Sequence, residues 1–246
     1  MAQAAVVLIV VRSGVRVVGM GHDLLAPQTE GRLALARLIW VCQLRRNRAY
    51  LLAGVARNGL NFNSATVFDE AVFATMGMLI AVVVADIVII TLWSLKSLDA
   101  PASFSLAIKV GLLLMVVGQG LGGVLIREGM RQEEVGPVTS PLVFGQDGIL
   151  NLSHAAALHA LQLLPVLAWL LSFSGRSESR RTKIVGVAAC GYAGLVLLTG
   201  LQALGGRAPF DLSGVGAVVL IVSTTAILAA SGVALVGVRP RLSPSR

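Results

Sequence analysis

Charged residues are scarce in this sequence. Only 13% of its 246 residues are Asp, Glu, Lys or Arg, and 56% are hydrophobic. Soluble domains average about 25% charged and about 45–50% apolar residues, so a water-soluble globule of this composition could not bury its apolar side chains. The scarcity of charge argues against an ordinary soluble fold and predicts that much of the chain lies in lipid.

Residue types that build covalent frameworks and metal sites are also rare. The chain has two cysteines, Cys42 and Cys190, and three histidines. It contains no Cys-x-x-Cys, no zinc-ligand spacing and no Ser-His-Asp order typical of hydrolases. Cys190 lies in an apolar run, where a cysteine usually acts as a small packing residue. The sequence therefore predicts neither a disulfide framework nor a metal site.

Positive charge is concentrated near the N-terminus. The formal net charge is +8, but residues 1–60 hold eight arginines against Asp23 and Glu30, which leaves 12 positive and 10 negative residues in the rest. A nucleic-acid-binding protein would need a basic face on its folded body. Since the body is nearly neutral, we expect no nucleic-acid partner.

The remaining chain is divided into long apolar runs. About 20 apolar residues in a helix cross a bilayer core of roughly 30 Å, and helices satisfy their own backbone hydrogen bonds there. Five segments meet this length, at about 71–95, 104–126, 153–173, 184–204 and 214–238. The sequence predicts an all-α, polytopic transmembrane helix bundle over residues 49–246, with the lipid bilayer as its partner.

The basic residues of the short connections predict the orientation. Loops rich in Lys and Arg stay on the cytoplasmic side. The connection at 175–183 and the tail after 238 are both basic, and both lie on the same side of the predicted bundle. We expect a bacterial inner-membrane protein with a cytoplasmic C-terminus, and the loop at 127–152 on the outer side.

Residues 1–48 do not fit this topology. The apolar stretch at 4–11 is interrupted by Arg12 and Arg16, and the stretch at 33–44 is short and carries Arg37. Neither is a convincing span. Our hypothesis is that this basic region is not a genuine part of the membrane domain, for instance because of a wrong start or reading frame.

One apolar run contains the glycine spacing of a dinucleotide-binding loop. Gly118, Gly120 and Gly123 form G-x-G-x-x-G. The cofactor motif needs a preceding strand and an acidic residue about 20 positions later, whereas here the glycines lie inside a predicted span. Gly118 and Gly122 also form G-x-x-x-G, which allows close helix packing in membranes. We expect these two glycines to pack helices.

Two charged residues lie within predicted spans. Asp86 and Lys109 are nearly equidistant from the connection at 96–102, so an antiparallel hairpin would place them at the same depth. A charge in the bilayer usually faces a partner or a cavity. The pair can be read as a proton or ion relay, or as a purely structural ion pair.

The two histidines of the third span give a further candidate site. His154 and His159 are separated by about 140° around a helix axis, so this pair alone would not chelate one metal ion. His159 and Gln162 share a face and predict a buried polar patch, with interhelical hydrogen bonding as the simpler alternative. Haem bound by a histidine and Met76, Met78 or Met115 is a further alternative.

Two longer motifs carry a resemblance. The segment at 56–77 contains Phe62, Asn63, Phe68 and Asp69 as F-N-x-x-x-x-F-D, and the segment at 153–165 reads SHAAALHALQLLP. Both resemble a family of uncharacterised bacterial multi-pass membrane proteins, over roughly residues 50–204. The resemblance implies a membrane fold and a polar site, with Asn63, Asp69, His154, His159 and Gln162 as motif positions. It implies no particular reaction.

These observations lead to three functional hypotheses. The first is a helix bundle that handles a small ligand or ion at an outward-facing polar site, where Asn63, Asp69 and His154 cluster and His159 lies one to two turns deeper. The second is a haem- or quinone-related redox subunit, and the third is a structural or assembly subunit. A homo-oligomer or a membrane partner subunit is compatible with each, and no cofactor is assigned.

Overall fold

The computed structural model describes residues 67–133, 144 and 147–238. These residues form five α-helices, and the part of the chain described contains only an isolated bridge between Phe144 and Gly148 as extended structure. The helices are α1 (Val67–Lys96), α2 (Ala102–Glu133), α3 (Leu150–Ser172), α4 (Glu178–Leu204) and α5 (Gly214–Val238). Each is long and apolar enough to cross a membrane. The predicted all-α fold with five spans is confirmed.

The helices extend beyond the predicted apolar segments. α1 begins at Val67 and α4 at Glu178, while α2 continues to Glu133. Apolar length predicts only the part of a helix that lipid can cover, because helical hydrogen bonding continues through polar residues until the backbone turns. Residues 1–66, including Asn63 and the basic N-terminal region, lie outside the described residues.

The described residues fall into two units, with the boundary between residues 92 and 93. Most of α1 belongs to the first unit. Its first turn carries Asp69 and Glu70 and its last turn carries Lys96, which is the charge order that the helix dipole favours. Asp86 is only 6% exposed.

In the second unit, α2 to α5 run alternately up and down and pack around small residues. One core cluster combines alanines with larger aliphatic side chains, including Ala107, Leu164, Leu171, Val185, Ala188 and Ala234. Large side chains of α5 face outward, since Ile221, Leu228 and Val236 are more than 60% exposed. An apolar exterior around a small-residue interior is typical of helices in lipid.

The two ends of this four-helix unit differ in the connections that they contain. The capped end is where α3 begins and α4 ends. There the Asp147 amide donates to the Gly206 carbonyl, across 3.2 Å. The basic end is where α3 ends and α4 begins. The turns after α3 and α4 each contain a glycine with positive φ, Gly175 (68°) and Gly206 (71°), a conformation that glycine adopts without a steric penalty.

Candidate functional site on the third helix

His154 packs against two glycines of α2, Gly118 and Gly122. The His154 Nδ1 atom lies 2.6 Å from the Gly118 carbonyl oxygen. A Cβ atom placed on Gly122 would lie 2.8 Å from His154 Cε1, and one on Gly118 would lie 3.1 Å from Ala157 Cβ. The two glycines of the G-x-x-x-G sequence thus leave the space that the imidazole and Ala157 occupy.

This hydrogen bond determines the tautomer of the neutral imidazole. The Gly118 carbonyl can only accept, so Nδ1 must donate and Nε2 keeps its lone pair. Protonation at Nε2 would leave the bond to Gly118 intact. α2 has no charged side chain between Lys109 and Arg127, and α4 has none after Lys183. In this tautomer, Nε2 is the ring nitrogen of the part-buried imidazole that has a lone pair for a ligand or a proton.

His159 has the opposite environment. It is exposed, and its Nδ1 lies 2.8 Å from Gln162 Oε1 on the same helix. The Gln162 Nε2 atom is buried without a hydrogen-bond partner. His159 lies roughly 14 Å along the axis from Leu150, near the middle of the span. The sequence predicts a buried patch of His159 and Gln162; the structure brings the two side chains together but leaves the imidazole on the surface.

The structure addresses only part of the predicted outer cluster. Asp69 is 9% exposed and belongs to the first unit, whereas His154 and His159 belong to the second. The clustering of Asn63, Asp69 and His154 stays a prediction. The pairing of Asp86 with Lys109 also joins residues of different units and stays a prediction.

Sequence reasoning missed two side chains that fix α3 against α4. The Ser153 hydroxyl donates to the Val196 carbonyl (2.9 Å), and the Tyr192 hydroxyl donates to the Ala156 carbonyl (2.9 Å). Polar side chains often join helices in this way within membranes. In the sequence, each of these contacts is indicated only by a single polar residue within an apolar run. Ser153 is the residue directly before His154. The helix that carries His154 is thus joined to both α2 and α4 by hydrogen bonds.

At Gly111 the backbone of α2 lies close to the backbone of α3. A Cβ atom there would lie 2.8 Å from the Leu161 Cα atom. At Gly118 and Gly122 the neighbouring atoms belong to side chains, whereas at Gly111 the nearest atom belongs to the backbone of α3. The glycines allow the two helices to pack closely over several turns, from Leu161 to His154.

An ion pair organises the connection after α4 at the capped end. Arg207 Nε lies 3.0 Å from Asp211 Oδ2, and Gln202 Nε2 donates to the Asp211 carbonyl (3.1 Å). The hydrogen bond and the charge of Arg207 lower the pKa of the Asp211 carboxyl. Both ionic side chains lie in water, so the pair contributes little to stability.

Metal ligands do not gather anywhere in the described part of the chain. Within residues 67–133, 144 and 147–238, no group of three His, Cys, Asp or Glu side chains could hold a metal ion. The polar side chains of α3 include the imidazoles of His154 and His159, the amide of Gln162 and the hydroxyl of Ser153. Of these groups, imidazole can bind a proton, and all three can form hydrogen bonds with a ligand.

Comparison with known proteins adds no relative to this description. No protein-family model matches the chain, and no curated protein or solved structure is similar to it. The fold and the contacts of α3 are therefore the basis for a functional interpretation. Five apolar helices, with their exposed aliphatic surfaces, are those of a multi-pass membrane protein.

Proposed function

We propose that this protein is a bacterial inner-membrane protein that handles a small ion, the proton, at His154. The observation that carries the proposal is the bond between His154 Nδ1 and the Gly118 carbonyl. It presents Nε2 as a proton acceptor and keeps the ring in place in both protonation states. The resemblance of residues 153–165 to bacterial multi-pass membrane proteins supports the same region.

The topology that accompanies this proposal follows the positive-inside rule. The basic end would face the cytoplasm, together with the C-terminus, and the capped end would face outward. His154 lies roughly 6 Å along the axis from the start of α3. Protons from the outer side would therefore reach it after about one helical turn. A second copy or a partner subunit is compatible with the exposed apolar faces.

Proton flux into vesicles tests this function directly. Purified protein is reconstituted into vesicles that contain a pH-sensitive dye, and a potassium diffusion potential drives protons inward. We expect flux above that of empty vesicles, and its loss in His154→Gln, because glutamine can donate to Gly118 but cannot be protonated. His159→Gln is the matched control and should retain the flux.

Two results would contradict the proposal. One is flux no higher than that of empty vesicles. The other is undiminished flux in His154→Gln, when its thermal unfolding in detergent shows that the variant is folded. Loss of flux in both histidine variants would show that the effect does not depend on the bond to Gly118.

The exposed pair of His159 and Gln162 favours a second candidate function. An imidazole near the middle of an apolar surface is accessible from the bilayer, as a site for a lipid-soluble quinone would be. Binding of a short-chain ubiquinone analogue should then quench tryptophan fluorescence in the wild type and in His154→Gln, but less in His159→Leu. Equal quenching in all three proteins would exclude this candidate.

A further inference from the structure

The basic end carries more positive charge than its internal contacts use. Between residues 176 and 183 lie four cationic side chains, Arg176, Arg180, Arg181 and Lys183, against one carboxylate, Glu178. Such an excess on one short segment attracts anions, and the partner depends on which charges remain exposed.

Both carboxylate oxygens of Glu178 have partners within the protein. Its Oε1 atom accepts a hydrogen bond from the Ser103 amide at the start of α2 (2.7 Å), and its Oε2 atom lies 3.4 Å from Arg181 Nη1. The carboxylate thus caps a second helix, where the helix dipole favours a negative charge. Its ion pair is with Arg181, and it forms none with Arg180 or Lys183.

Arg176 is also used internally. Its Nη1 atom donates to the Val233 carbonyl near the end of α5 (3.4 Å), and a Cβ atom on Gly237 would contact the same nitrogen. A cation near a helix C-terminus interacts favourably with the dipole. Arg176 therefore connects the α3–α4 turn to α5.

Arg180 and Lys183 remain available. Both are exposed, and neither forms an ion pair with any residue in the described part of the chain. Arg181 lies between them in sequence and has a buried Nε atom without a partner. Two exposed cations on the first turns of α4 are therefore left for an external anion.

An aromatic pair lies at the same end and indicates the membrane surface. Trp169 and Phe173 form an edge-to-face contact, with ring centroids 5.0 Å apart, and both are exposed. Aromatic side chains of membrane proteins are enriched at the depth of the lipid headgroups. The turn that follows Phe173 leads directly to the cationic segment, which places the free charges beside the headgroups.

We propose that Arg180 and Lys183 bind the phosphate groups of anionic lipids in the adjacent leaflet. Charge complementarity selects an anion, and the adjacent aromatic pair selects the bilayer surface over a soluble partner. This interaction is independent of proton handling at His154. It would fix the depth and tilt of α3 and α4 in a bilayer that contains anionic lipid.

Trp169 can report the binding directly. In Trp40→Phe/Trp93→Phe protein it is the one remaining tryptophan, as the chain has three. The protein is reconstituted with phosphatidylglycerol or phosphatidylcholine that carries brominated acyl chains, which quench nearby tryptophan. We expect phosphatidylglycerol to be preferred around Trp169 by about fivefold or more, and the preference to fall to about one in Arg180→Gln/Lys183→Gln.

The matched control removes two arginines from the other end of the helices. Arg127→Gln/Arg207→Gln makes the same change in net charge and should retain the preference. Arg180→Lys/Lys183→Arg exchanges the side chains without loss of charge and should also retain it. A preference that persists in Arg180→Gln/Lys183→Gln, or that falls equally in the control, would overturn the proposal.

A final arm separates lipid from free phosphate. Inorganic phosphate replaces chloride at equal ionic strength. If the site is specific for headgroups at the bilayer surface, the preference for phosphatidylglycerol is unchanged. If inorganic phosphate abolishes the preference while chloride does not, the site is one for a soluble anion, and the assignment to lipid is wrong.

Discussion

The two histidines of α3 differ in nearly every respect except residue type. His154 lies between α3 and α2 and is hydrogen-bonded to the backbone of another helix. His159 is exposed and bonded to Gln162 of its own helix. A polar residue in a span can therefore either join two helices or face outward. On α3 the two cases are only five residues apart.

The glycines of α2 are the reason for this difference. Where α2 presents Gly111, Gly118 and Gly122, α3 approaches closely and a polar side chain can reach a backbone carbonyl. The opposite side of α2 includes Gly120, which has open space around it. Substitutions on the packed face of α2 should therefore change the free energy of unfolding more than substitutions on its open face.

Among substitutions on α2, the largest effect is expected where its backbone approaches that of α3. Gly111→Ala would bring a Cβ atom to within 2.8 Å of Leu161 Cα, and the backbone of α3 cannot yield without a shift of the helix. We expect a loss of about 1–3 kcal/mol in the free energy of unfolding, as is usual for overpacking. Unfolding in detergent would measure it.

Gly120→Ala is the matched control on the same helix. No atom lies within 4 Å of the new Cβ, and alanine favours the helix by up to about 1 kcal/mol in water. The control should be as stable as the wild type or slightly more stable. If both alanine variants lost equal stability, close packing at Gly111 would not be the cause.

Truncation of the histidines compares the two environments directly. His154→Ala removes an interhelical hydrogen bond and should lower the free energy of unfolding by about 1 kcal/mol. His159→Ala removes an exposed side chain and should change it by less than about 0.5 kcal/mol. Denaturation by sodium dodecyl sulfate in mixed micelles can resolve this difference. Equal losses of unfolding free energy in the two variants would show that the hydrogen bond of His154 to α2 adds no stability.

Gly122→Ala tests whether the absence of a side chain at this position makes room for the His154 imidazole. The added Cβ would lie 2.8 Å from His154 Cε1, a side-chain atom that can move, so we expect a loss of only about 0.5–1 kcal/mol. In His154→Ala the same substitution should have no effect, because the ring is gone. Additive losses in the double-mutant cycle would show that Gly122 contacts something else.

The smallest effect concerns an exposed pair outside the spans. Arg207 lowers the pKa of Asp211, so the pair stabilises the folded state above the ordinary carboxyl pKa and the contribution is lost as the pH falls through the lowered pKa. Asp211→Asn should reduce the thermal unfolding midpoint slightly near neutral pH. The difference from wild type should narrow as the pH falls below the ordinary carboxyl pKa, as expected for a carboxyl that becomes protonated. A difference that grows on acidification would contradict this role.

The sequence predicts some features of α3 well because they are local. The angle between His154 and His159 follows from helix geometry, and the contact of His159 with Gln162 follows from their spacing. It does not reveal that Gln162 pairs with an exposed imidazole, or that Ser153 and Tyr192 join α3 to α4. Those contacts depend on residues from separate helices, whose mutual rotation no single apolar run encodes.

The number of spans and their approximate limits were determined by the sequence itself, because the length of an apolar run and the cost of unpaired backbone groups in lipid are local quantities. The tertiary structure decided which polar side chains meet. His154 and Gly118 are 36 residues apart, and only the packing of α2 against α3 brings them together. Helices in lipid gain little from apolar contact alone, so small residues and single hydrogen bonds determine that packing.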